Sequence, residues 1–163
     1  MHIHQIVVGS QLALRAALAG TISLYLAKFL DLQHPIYALV AAIIVTDFSP
    51  AETTRLGRQR LAATGIGAIC GVALSSAFGQ VEWTVGFGIL VAMILCHACN
   101  VSAGAKVAGY LCALIILGEG EDPWRHALCR FVETVVGIAV AWILSLVPRL
   151  IRLEEPADPE KRT

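Results

Sequence analysis

An all-α polytopic membrane protein of six transmembrane helices is the fold class this sequence predicts, and three observations predict it. Of the 163 residues, 57% are hydrophobic and 15% charged, with a mean hydropathy of +0.73; a soluble domain of this size carries about 45–50% apolar and about 25% charged residues. The apolar residues are gathered into six stretches between polar turns. The cations fall unevenly on alternate turns, the asymmetry that orients a polytopic chain. Lys+Arg and Asp+Glu balance at 12 each, which excludes a nucleic-acid binder held by net charge. The apolar excess excludes a disordered chain and a water-soluble fold.

The first stretch, residues 12–30, is long enough to cross the hydrocarbon layer as a helix. The second, 35–46, opens with Pro35, a residue suited to a first helical turn. The third covers 57–78, the fourth 83–99 and the fifth 105–117. The sixth, 126–147, is stopped by Pro148, which cannot continue a helix. The second and fifth are short, reaching only about 20 Å as helices. Nothing alternates polar and apolar with period two, so strands are not expected. Residues 151–163 gather Glu154, Glu155, Asp158, Glu160, Lys161 and Arg162 around Pro156 and Pro159, the composition of a polar, loosely ordered cytoplasmic tail. The first apolar run lacks a basic leader and continues too long for a cleaved signal.

With the N-terminus in the cytoplasm, the inner side receives Arg15, Arg55, Arg58, Arg60, Lys106, Arg149, Arg152, Lys161 and Arg162. The outer side receives Lys28, Arg125 and Arg130, beside Asp31, Glu82, Glu119, Glu121 and Asp122. The rule that cations stay inside therefore places both termini in the cytoplasm of a bacterial-type inner membrane.

Two segments echo each other 70 positions apart. Arg60, Thr64 and Gly67 match Arg130, Thr134 and Gly137 in the pattern R-x-x-x-T-x-x-G, and Leu74/Leu144 and Ser75/Ser145 extend the match. The same shift lays the first stretch on the fourth and the short second on the short fifth. Units of three spans stand in opposite orientations, so the expectation is a 3+3 inverted repeat; chance likeness of two glycine-containing helices is the alternative.

Thr64, Gly67 and Gly71 follow Arg60 at offsets that share one helix face, as do Thr134 and Gly137 after Arg130. Such small residues let helices approach closely in lipid. Charged side chains inside a span cost on the order of 3 kcal/mol at its centre, so the arginines are candidates for function. Arg60, Arg130, Arg15, Arg58 and Lys106 are the candidate anion contacts, since a planar guanidinium fork suits carboxylate. Arg130 reads either as such a contact or as the ion-pair partner of Glu133, three residues on. A cavity with Arg60 at its inner mouth and Arg130 at its outer mouth would attract organic anions. Asp47 reads as a solvated helix-end acid or a proton-linked carboxylate. Cys70, Cys96, Cys99, Cys112 and Cys129 lie within apolar runs, where free cysteine acts as a small apolar residue. The Cys96-His97-Ala98-Cys99 cluster has no second half, and no metal or other cofactor is expected. His2 and His4 are a chance pair at the terminus. No catalytic constellation is present, so an enzyme is not expected.

Leu14-Arg15-Ala-Ala-Leu18, Leu32-Gln-His-Pro-Ile-Tyr-Ala38, the two arginine–threonine–glycine segments and Ser145-Leu-Val-Pro148 together resemble the membrane half of the fusaric acid resistance and aromatic acid exporter families, and more distantly the plant aluminium-activated malate transporters. The resemblance covers roughly residues 10–150 and implies a six-helix unit that moves organic anions, usually aromatic carboxylates. Members of those families carry a second membrane half or a cytoplasmic domain, and the small size of one unit implies a homo-oligomer, a dimer above all, with lipid and small organic anions as partners. The competing expectation is a non-transporting scaffold or accessory subunit that uses its small-residue faces to bind partner helices.

Overall fold

The computed structural model describes residues 2–118 and 122–147, with side chains from Gly9 onward. Expectations placed on Glu119, Glu121, Pro148, Arg149 and the tail lie outside those residues, and those on His2 and His4 outside the described side chains. Among the described residues the chain is helical: α1 (His2–Phe29), α2 (Ile36–Val45), α3 (Pro50–Phe78), α4 (Glu82–Ala98), a 3-10 turn (Ser102–Gly104), α5 (Ala105–Ile116) and α6 (Pro123–Ser145). Three helical stretches, Gly9–Phe29, Pro50–Phe78 and Pro123–Ser145, are long and apolar enough to cross a membrane; α2, α4 and α5 are shorter.

Local chemistry sets the ends. α3 starts at Pro50, after Ser49 in an extended conformation, and α6 starts at Pro123. Proline is favoured there because its missing N–H would have had no partner in the first turn. The Asp122 carboxylate caps α6 by accepting from the Trp124 N–H at 3.1 Å. α3 thus begins before the apolar stretch, carrying the Glu52–Arg55 ion pair on its exposed first turns. α1 and α4 end alike. Asp31 (φ 52°) and Asn100 (φ 58°) take the left-handed conformation. Leu32 N–H then bonds Ala27 O at 3.0 Å, and Val101 N–H bonds Cys96 O at 2.8 Å, the backbone pattern that closes a helix C-terminus.

Size is sorted in the direction expected of a chain solvated by lipid. Ala19, Ala38, Ala42, Ala63, Ala108 and Ala141 are buried, whereas Tyr25, Phe29, Ile94, Trp124, Leu128 and Ile143 face outward. In a bilayer the outward face needs only to be apolar, and small interior residues bring backbones close. Gly67 lies against the Ala108 backbone, where a Cβ would fall 2.5 Å from the Ala108 oxygen; Gly137 lies equally tightly on the Ala38 carbonyl. Only glycine fits either contact. Thr64 and Thr134 are buried on the same faces.

The helix contacts are symmetric under exchange of α1, α2 and α3 with α4, α5 and α6. α1 packs on α2 and α6, as α4 packs on α5 and α3; α2 packs on α6 as α5 packs on α3. Residue pairs follow the same rule. Gly67–Ala108 corresponds to Gly137–Ala38. Gly71 against Cys112 and Ile115 corresponds to Ala141 clustered with Ala42 and Val45. Ser75 donates to Val72 O as Ser145 donates to Trp142 O. α3 and α6 cross antiparallel: Gly57 meets Ile138, while Ala68 and Val72 meet Ala127. An axis relating two antiparallel equivalents must cut across them, so α4–α6 is α1–α3 inverted.

Candidate anion site

α3 and α6 bring Arg60 and Arg130 into the stretch over which they cross, and the two side chains are 4% and 3% exposed. Their surroundings differ.

Arg130 is neutralised. Its Nη1 donates to Glu133 Oε2 at 3.2 Å, and its Nε donates to His126 Nε2 at 3.2 Å. Its guanidinium carbon lies 3.5 Å from the centre of the Tyr37 ring, a cation–π contact strengthened by desolvation. Glu133, fully buried, accepts the His34 N–H on Oε1 at 2.8 Å. The helix spacing i, i+3 and i, i+4 places Glu133 and His126 on the face of Arg130. The short α2 supplies Tyr37, and the turn before it supplies His34. Thr134 returns its hydroxyl to Arg130 O at 2.8 Å.

Among the described residues no acidic side chain pairs with Arg60. Its Nη2 donates to the Tyr110 hydroxyl at 2.8 Å, and its guanidinium carbon is 5.9 Å from that ring. Nε and Nη1 are buried and no described group accepts from them, and Gln59 Oε1 is buried with no described donor. Arg60 and Gln59 line a cavity of about 50 Å3, with Leu56, Gly104 and Val107 among its other walls. A single water needs about 10–15 Å3 of such a cavity, so the space admits a small group such as a carboxylate. The Gln59 amide can present either its oxygen or its NH2 to such a group.

The other candidates are placed elsewhere. Arg15 is buried and ties helix ends together: Nη1 donates to Phe48 O at 3.3 Å and Nη2 to Val147 O at 2.8 Å. Arg15→Met should therefore lower stability by about 1–3 kcal/mol, the contribution of hydrogen bonds from a charged donor, measured as the unfolding midpoint in detergent; an unchanged midpoint would contradict that role. Arg58 and Lys106 are exposed. Asp47 shapes the turn before α3, accepting the Ser49 N–H at 3.3 Å. Gly67, Gly71 and Gly137 form helix contacts, as do the threonines' faces. The five cysteines are free thiols, with Cys70, Cys96 and Cys112 buried in one apolar cluster. Among the described residues no three His, Cys, Asp or Glu side chains gather as a metal site. Sequence reasoning missed His126, His34, Tyr37, Tyr110 and Gln59. Only His126, one turn before Arg130, carried a local signal.

Comparison with known proteins identifies the lineage of this arrangement. The family described as aromatic acid exporter family member 1 matches residues 8–147. The chain belongs to the aromatic acid exporter family. Among its relatives, the UPF0421 protein SSP0904 of Staphylococcus saprophyticus is 26% identical over 115 residues, covering 70% of this chain and 35% of that protein. The UPF0421 protein YgaE of Bacillus subtilis is 24% identical over 133 residues, covering 82% and 38%. The uncharacterized transporter YdhK of Escherichia coli is 25% identical over 146 residues, covering 83% and 22%. The chain thus spans between about a fifth and two fifths of the length of these relatives. No solved structure matches it at a significant level. The family is one of membrane exporters, not enzymes.

Proposed function

We propose that the chain is a membrane unit that carries organic anions, aromatic carboxylates among them, out of the cell, with Arg60 as the anion contact. The observation that carries this reading is the pair of buried Arg60 donors that no described group accepts from, on a side chain lining a cavity. A buried charge lacking its counter-charge costs several kcal/mol. A site that keeps such a charge gains most when a carboxylate arrives. Family membership and the small-residue interior support a transport role. The exposed Arg58 and Lys106 raise the local anion concentration through their field. The chain works as a homo-oligomer, a dimer by preference, in a bacterial inner membrane with both termini in the cytoplasm; closed symmetry is the common solution for such assemblies.

The test is benzoate efflux from liposomes containing the purified protein. Arg60→Gln should slow efflux roughly ten- to hundredfold, since a charge-assisted hydrogen bond contributes about 1.5–3 kcal/mol. Arg58→Gln should slow it about twofold or less at physiological salt, where the field of exposed charges is screened. Full efflux by a folded Arg60→Gln protein would overturn the assignment.

A further inference from the structure

The repeat explains why one buried arginine is satisfied and the other is not. A shift of 70 positions carries Arg130 onto Arg60, His126 onto Leu56, His34 onto Gly104 and Tyr37 onto Val107. The first member of each pair belongs to the filled cluster around Arg130. The second member of each pair lines the cavity around Arg60. Glu133 falls on Ala63, and Ala63 lies against Gly104 as Glu133 lies against His34. At these four positions the Arg60 half carries the smaller or less polar side chain; its own polar groups, Gln59 and Tyr110, stand where the other half has Cys129 and Val40. The missing volume is the cavity, and the missing charge is the carboxylate.

We infer that the cavity beside Arg60 is a seat for one carboxylate group, and that Glu133 is the built-in occupant of its inverted twin beside Arg130. The inference rests on the proposed role of Arg60 and deepens it by giving the ligand's pose and number. Glu133 shows the geometry: one carboxylate oxygen takes the guanidinium and the other faces the turn that opens the short helix. At Arg60 the donors are Nε and Nη1. The Gly104 N–H is already bonded to Val101 O at 3.0 Å, so Gln59 takes the part that His34 plays in the twin. Each chain then holds one external carboxylate, because the second seat is permanently filled from within.

The seats can be exchanged by mutation in the full-length protein purified in detergent. Ala63→Glu supplies the Arg60 seat with its own carboxylate and should weaken benzoate binding, followed by calorimetry, roughly tenfold or more. Glu133→Ala empties the Arg130 seat. Its thermal unfolding midpoint should fall and then rise again with added formate, whereas formate leaves the wild type unmoved at the same concentrations. Benzoate binding at wild-type affinity by folded Ala63→Glu overturns the inference. So does a Glu133→Ala protein that formate does not restore, including one that fails to fold with and without it. The outcomes separate from those of the transport reading. Seat exchange in a protein that moves no benzoate leaves the seat standing and removes transport; efflux indifferent to Ala63→Glu removes the seat alone.

Discussion

Replacing Gly137 by valine should remove most of the folded protein, and it is the most damaging single change expected outside the charged cluster. A Cβ at 137 would overlap the Ala38 carbonyl oxygen and lie 2.8 Å from Ala41 Cβ and 2.9 Å from Ala42 N. The obstacles are backbone and a methyl group, neither of which can rotate aside. Overpacking a tight site costs about 1–3 kcal/mol and more when backbone must move. Moving α2 away from α6 also withdraws Tyr37 and His34 from Arg130 and Glu133. We expect a loss at or above the top of that range, seen as a lowered unfolding midpoint and aggregated material on size exclusion. Gly65→Val on α3 is the control, because nothing lies within 4 Å of its Cβ position, and it should unfold like the wild type. Equal behaviour of the two variants would refute the close approach of α2 and α6.

Glu133→Gln should destabilise the protein through charge alone, since the side chain keeps its size. Arg130 is 3% exposed and would lose its counter-ion. Removing one partner of a buried ion pair costs about 3–5 kcal/mol because the other charge is stranded. The double change Arg130→Met, Glu133→Leu removes both charges and should recover to within about 1–2 kcal/mol of the wild type, as buried pairs replaced by apolar residues of like volume often do. Denaturant titration of the single and double variants gives the coupling. A single variant as stable as the wild type would mean that water or another side chain already compensates Arg130.

The six helices were legible because their apolar runs are long and sharply bounded. The start of α3 was not, since the segment Pro50–Phe78 opens with a polar turn that hydropathy cannot distinguish from a loop. The repeat was legible only in α3 and α6, where arginine, threonine and glycine recur. In the other pairs the repeat preserves size and backbone bonding rather than identity. Ala38 and Ala108 both meet a glycine, and Asp31 and Asn100 both end a helix in the left-handed conformation. Arg130 with Glu133 was readable from spacing along one helix. The free donors of Arg60 were not, because they depend on Tyr110 and on what stands in for a glutamate half a chain away. Arg15 read as an anion contact by its charge alone; its donors go to Phe48 and Val147 carbonyls that only the folded chain brings near.

An interior surfaced by alanine and glycine has one more consequence. A methyl group has no torsion to reset, so helices that touch through such surfaces meet no rotamer barrier when they glide past one another. Bulky interdigitating side chains would lock a single register, whereas these smooth flanks permit small shear displacements of whole helices. The short helices α2 and α5 each lie on a long neighbour along a glycine seam and are pinned at one point, α2 through Tyr37 on Arg130 and α5 through Tyr110 on Arg60, so such a shear would turn about those two arginines.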